Sequence, residues 1–159
     1  MTSSMPDLGR SQQRDGLLPS QYSFGTTIDA PFDEAVARVT AALKTEGFDV
    51  LTTIDMQKAM KEKLSVEFER YTILGACNPD MAHRALLADH LIGLAMPCTI
   101  TIHETHFPPD MERTRIDFAD PVAMLGMTNQ YAILELGREA QAMLQRVAAR
   151  LGAPTPSHN

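Results

Sequence analysis

From Cys98 to Thr105 the sequence alternates with a period of two: Thr99, Thr101 and His103 are polar, Ile100 and Ile102 apolar. That period belongs to a strand with one buried face, because successive side chains leave a strand on opposite sides. Arg113 to Phe118 repeats the pattern with Ile116 and Phe118 turned inward, and the short Pro108-Pro109-Asp110 link predicts an antiparallel hairpin. A half-buried hairpin needs an apolar cover.

The rest of the chain contains that cover. Tyr22, Phe24, Thr26 and Ile28 alternate as a first strand. After Pro31, a helix is predicted from Phe32, Val36, Val39 and Leu43, with Asp33 and Glu34 at its positive end and Gly47 as its stop. Phe48 to Ile54 reads as a second strand, Asp55 to Leu64 as a short helix with Met56 and Met60 on one side, and Val66 to Glu69 as a short edge strand. Tyr71 to Cys77 is a further strand, ended by Asn78-Pro79, where Asn suits an N-cap and Pro the first helical position; that helix runs to about Ala88. Leu91 to Pro97 is apolar but broken by Gly93 and Pro97. From Asn129 a last helix puts Ile133, Leu136, Ala140, Met143, Leu144, Val147 and Leu151 on one stripe. The order predicts an α+β two-layer sandwich, with a mixed, mostly antiparallel sheet of about five strands and helices on one face. The other face should be partly apolar or Thr-lined, and dimerisation is one way to cover it.

The chain has 159 residues, 44% hydrophobic and 21% charged, enough for one self-supporting core. With ten Met, no Trp and few aromatics, that core is mostly aliphatic and partly filled by flexible thioethers. Residues 1–21, rich in Ser, Gln, Gly and Pro without periodicity, are expected to be a disordered leader; 22–151 form the domain, and 152–159, with Pro154 and Pro156, a frayed tail. A net charge of −6 and a pI near 5.3 argue against nucleic acid, whose phosphates need clustered Lys and Arg. Lys58 to Lys63, interrupted by Glu62, reads as a solvated helix face. No run of 18 apolar residues and no apolar leader segment occur, so no membrane span or secretory signal is expected. Only Cys77 and Cys98 are present, which suits the reducing cytoplasm and offers no disulfide framework.

Candidate chemistry gathers at Gly75-Ala76-Cys77-Asn78-Pro79. A cysteine just before a helix start lies near unpaired N–H groups that favour the thiolate, which would lower its pKa; the alternative is a small buried hydrophobe beside a well-made cap. Cys98 shares the parity of Ile100 and Ile102, so it should point to the apolar side and be inert. His83 and His90, two helical turns apart, cannot share an ion, and His103 and His106 have opposite strand parity, so no metal site is expected. Asp55, Asp117 and Asp120 read as caps or turn residues. No nucleophile elbow, phosphate-binding glycine loop or double CxxC occurs.

The string Tyr-Thr-Ile-Leu-Gly-Ala-Cys-Asn-Pro at 71–79, with Ala82-His83-Arg84-Ala85-Leu86 after it, resembles the family called domain of unknown function 302. So do Gly47-Phe48 with Leu51-Thr52-Thr53-Ile54-Asp55, then Ile92-Gly93-Leu94, Met96-Pro97-Cys98, Asp120-Pro121 and Ala123-Met124-Leu125-Gly126, in the same order. Cys77, Asn78, Pro79 and Cys98 match the family pattern, whereas Thr53 stands where Glu is frequent and Thr99 where Asn is. The resemblance implies a small α+β fold, a homodimer, and no established activity, substrate or cofactor. The expected function is therefore a non-catalytic, homodimeric module that binds a small ligand or partner beside Cys77, Asn78 and Cys98. The alternative is a thiol redox or sulfur-relay protein using Cys77 with Cys98.

Overall fold

A computed structural model of the chain describes residues 21–105 and 111–152. The expected leader and tail lie outside these residues except at Gln21 and Gly152, as do His106 and the Pro108-Pro109-Asp110 link. The order is β1 (Ser23–Ile28), α1 (Phe32–Thr45), β2 (Asp49–Asp55), α2 (Met56–Leu64), β3 (Tyr71–Cys77), α3 (Pro79–Ala88), a 3-10 segment (His90–Ala95), β4 (Cys98–Thr105), β5 (Arg113–Ala119), α4 (Pro121–Leu125), a second 3-10 turn (Gly126–Thr128) and α5 (Tyr131–Gly152).

The five strands form one sheet in the order β1-β5-β4-β3-β2. Every pairing is antiparallel, including the expected β4–β5 hairpin, where Ile102 faces Ile116 and Ile100 faces Phe118. The parallel component expected from the sequence is absent among the described strands. Four antiparallel steps leave β1 and β2 pointing the same way, but α1 carries the chain from one sheet edge to the other, so they never pair.

Strand parity sets the layers. Leu74, Ala76, Ile100, Ile102, Ile116 and Phe118 bury against Phe32, Ala35, Val39 and Leu43 of α1 and Leu144, Val147 and Leu151 of α5. Burial of each Val, Leu, Ile or Phe side chain among them contributes about 1.5–3 kcal/mol. Thr114 is also fully buried, and its hydroxyl donates to Ala30 O at 2.8 Å, tying the turn before α1 to β5. On the outer face stand Thr99, Thr101, His103, Arg115 and Asp117, exposed or half-buried.

α5 is longer than the sheet needs. Its first half, through Ile133, Leu136 and Ala140, joins Met81, Ala85 and Ile92 in a second core beyond the sheet's end. Three readings are corrected. Val66 to Glu69 is no strand, since residues 65–70 make no ladder; the two alternating pairs were too few to mark one. His83 and His90 do not share a helix, because α3 stops at Ala88 and Asp89 caps the next segment by accepting from Leu91 N at 2.9 Å. α5 runs through Gly152 rather than fraying there, and begins at Tyr131 because Asn129 sits in the left-handed region at φ 53°.

Candidate functional site

A cavity of about 610 Å³ opens at the sheet end where β3 finishes and β4 begins, reaching from between the two cores onto the outer face at Tyr71, Thr99, Thr101 and Asp117. Phe48, Ala76, Cys98 and Phe118 belong to the sheet side of its lining, and Met81, Ala85, Ile92 and Ala140 to the helical side. Among the described residues no Lys, Arg or His lines it, and the one carboxylate among them, Asp117, is held by Arg115 at 2.7 Å. Asp117 is thus a strand residue in an ion pair rather than the expected cap or turn residue, whereas Asp55 and Asp120 do cap helices, accepting from Lys58 N and Val122 N.

The corner is fixed by Asn78. Its side-chain oxygen accepts from Met81 N at 3.3 Å, capping α3, and its amide donates to Glu46 O at 3.4 Å. Glu46 is itself held by Arg146 at 3.0 and 3.1 Å, and this guanidinium keeps its carboxyl below the usual carboxylate range. The ends of α1 and β3 and the middle of α5 are thereby joined through one amide. Gly47 makes the join possible: it sits at φ 78°, and a Cβ there would come within 3.0 Å of Asn78 Nδ2. Gly75 plays a similar part on β3, where a Cβ would lie 2.7 Å from the Pro97 ring and would also meet Thr52. Asn78 is at the cavity as expected, with its side-chain hydrogen bonds directed to the fold.

The two cysteines are neighbours along the backbone and opposed in direction. Cys98 pairs across the ladder with Ala76, the residue before Cys77. Strand spacing then puts the two Cα atoms about 6 Å apart. Alternation, however, sends Cys98 inward with Ala76 and Cys77 to the other side, and both are free thiols. A bridge between them would require backbone movement. Burial pushes the Cys98 thiol up to about 11, with Cys77 as a second influence. Burial also raises the Cys77 thiol, followed by Asp49, its partner across the β2–β3 ladder. Its Sγ lies 3.7 Å from Asn78 O, placed to donate rather than to receive N–H groups. The lowered pKa expected of a cysteine before a helix is therefore reversed, because burial, and after it the Asp49 carboxylate, raise the thiol.

The far wall does not announce itself through periodicity. Met124 and Leu125 reach the cavity from α4, and Tyr22 and Ser23 from the start of β1. The signal was there in Asp120-Pro121, the same acceptor-then-proline start that marks α3 at Asn78-Pro79. Of the two positions that depart from the family pattern, Thr99 lines the cavity while Thr53 is exposed on β2. His103 is elsewhere, on the outer face, stacked on Tyr71 at 5.3 Å between ring centres with Glu69 3.8 Å away. Among the described residues no three His, Cys, Asp or Glu come together as a metal site, and no helix is long and apolar enough to cross a membrane.

No curated protein matches the chain. Its fold is similar to the crystal structure of an uncharacterized conserved DUF302 protein from Bacillus stearothermophilus, at 26% identity and a TM-score of 0.74. That likeness covers 83% of this chain and 99% of the other. The family described as domain of unknown function DUF302 matches residues 24–151, nearly all of the sheet and both cores. The chain belongs to the DUF302 family.

Proposed function

We propose that the protein is a non-catalytic binding module whose corner cavity takes one small, uncharged, mainly apolar ligand. The observation that carries this reading is the lining. A concave site of several hundred cubic ångströms, mostly apolar with a few polar groups, is the usual form of a small-molecule site. With no cationic side chain among its described lining residues, it has no full charge to offset a phosphate or carboxylate. Met81, Met96 and Met124 add adaptable thioether surface, suited to an irregular apolar shape.

Thiol relay through Cys77 and Cys98 draws less support. Both thiols are pushed toward the protonated, unreactive form, and their side chains leave the sheet on opposite sides.

Titration with a neutral apolar fluorophore such as Nile red tests the binding reading. One saturable site is expected, weakened at least tenfold by Ala95→Phe, which fills the cavity from its half-buried wall. Binding that is absent, or indifferent to both Ala95→Phe and Met96→Phe, would remove it.

A further inference from the structure

We infer that the ligand of the corner cavity is a neutral amphiphile with a hydroxyl at its polar end, an alcohol or a phenol, and that this hydroxyl sits between Thr101 and Asp117 on the outer face of the sheet. The inference rests on the binding reading above and deepens it. The cavity joins two unlike surfaces. Met81, Ala85, Ile92 and Leu136 give its inner part an apolar wall between the cores, whereas Tyr71, Thr99, Thr101 and Asp117 give its outer part hydroxyls and a carboxylate. A wholly apolar molecule that filled both parts would strip water from these polar groups and return no hydrogen bond.

Strand register shows which polar groups the ligand meets together. Thr101 on β4 and Asp117 on β5 are directly opposed, and alternation with Ile100, Ile102, Ile116 and Phe118 sends both away from the core. Side chains so placed have Cβ atoms about 4.5–5.5 Å apart. The Thr101 hydroxyl nevertheless has no hydrogen-bond partner among the described residues. The reason lies on the next strand. Gly25 of β1 pairs with Asp117, and a Cβ at Gly25 would collide with Asp117 Oδ1, so the carboxylate leans over β1 and away from Thr101. Arg115 holds it there: Oδ1 accepts from Nε and Nη2 at 3.0 and 2.7 Å, and Oδ2 from Nε alone at 3.1 Å. Oδ2 keeps a lone pair for a further donor.

The ground on either side is closed. Past its irregular residue, Leu51, β2 sets Thr52 against Gly75, and the Pro97 ring covers Gly75. At the opposite end Tyr71 is stacked on His103. Thr101 and Asp117, both half-buried, are the polar floor between these walls. A ligand hydroxyl answers both at once, donating to Asp117 Oδ2 and accepting from Thr101 Oγ1. An ether or a ketone only accepts, and leaves the carboxylate without its donor. An ammonium would donate, but Arg115 already balances Asp117 and would meet it as a like charge. The chemistry of the pair therefore selects an alcohol or a phenol.

Displacement of Nile red from the full chain by three matched probes tests the inference: para-butylphenol, butylbenzene and para-butylanisole. A purely apolar site would prefer butylbenzene, which has no hydroxyl to strip of water. Here the phenol is expected to displace the dye at least about tenfold more tightly than butylbenzene or the anisole, whose oxygen cannot donate. Thr101→Val, which keeps the shape of the side chain and removes its hydroxyl, should abolish that preference. Dye that binds and is displaced equally well by all three probes, or best by butylbenzene, overturns the hydroxyl inference and leaves the binding reading standing. A preference for the phenol that survives Thr101→Val overturns it too. Dye that does not bind at all removes the binding reading and this inference with it. Should Thr101→Val fail to fold, an anisole as tight as the phenol overturns the inference on the unaltered chain.

Discussion

The sheet's inner corner and its β2 edge are built from similar residues and end in opposite states. Ile100 and Phe118 are fully buried beneath α1 and α5, while Ile54, also on a strand of that sheet, is 48% exposed. Composition does not separate them. What differs is cover: α1 packs β2 only near Val50, before the irregular residue, and beyond it the strand extends past the helical layer. An apolar strand residue is therefore a core residue only where a helix crosses it.

The sharpest way to break this comparison is truncation on both sides of it. Phe118→Ala removes a ring that is fully buried and stacked on Phe24 at 5.5 Å, and should destabilise the domain by about 3–5 kcal/mol. Ile54→Ala should cost less than about 0.5 kcal/mol in the monomer, measured at low concentration in the same urea titration. Similar losses at the two positions would mean that β2 has a cover within its own chain.

The next effect separates the regions by pH. An unfolded thiol ionises at 9.0, whereas folded Cys98 holds its proton to about 11. Between these values the unfolded chain has lost a proton that the folded chain retains, so stability falls as pH rises. The contribution is fully present below the unfolded value and is gone above the folded one, a loss on the order of 2–3 kcal/mol. Cys98→Ala should flatten the urea-midpoint profile across this window relative to the unaltered protein, and Ile54→Ala should leave it parallel. Native-state alkylation should reach Cys77, which leaves the sheet away from the core, before Cys98, which packs against it, and both slowly at neutral pH.

Much of this fold was legible because its signals are local and periodic. Alternation at 98–105 and 113–118 identified the β4–β5 pair, and the helical stripes marked α1 and α5 within two residues of their starts. Parity alone placed Cys98 against the core. The misses share a different cause. That every pairing is antiparallel depends on α1 spanning the whole sheet, a choice made by strand order and invisible in any window. The raised Cys77 thiol depends on burial by the tertiary fold and then on Asp49 across a ladder, while the helix start argued only from adjacency. The cavity's far wall comes from α4, more than forty positions after Cys77 in sequence, so the corner could be named in advance but not enclosed.

The finest test compares two caps of the same kind, one on each side. Asp55 at the β2 edge accepts from Lys58 N at 3.0 Å in an exposed setting, and its loss to Ala should cost about 0.5–1 kcal/mol. Asn78 accepts from Met81 N in a half-buried setting and also donates to Glu46 O, so Asn78→Ala leaves two backbone groups without a partner. The expected cost is about 1–2 kcal/mol in a urea titration. Asn78→Asp keeps the acceptor that caps α3 but turns a carboxylate toward a carbonyl, and should recover less than half of that loss. Full recovery would show that Asn78 serves only as a helix cap, and that the tie from β3 to α1 contributes nothing to holding the corner shut.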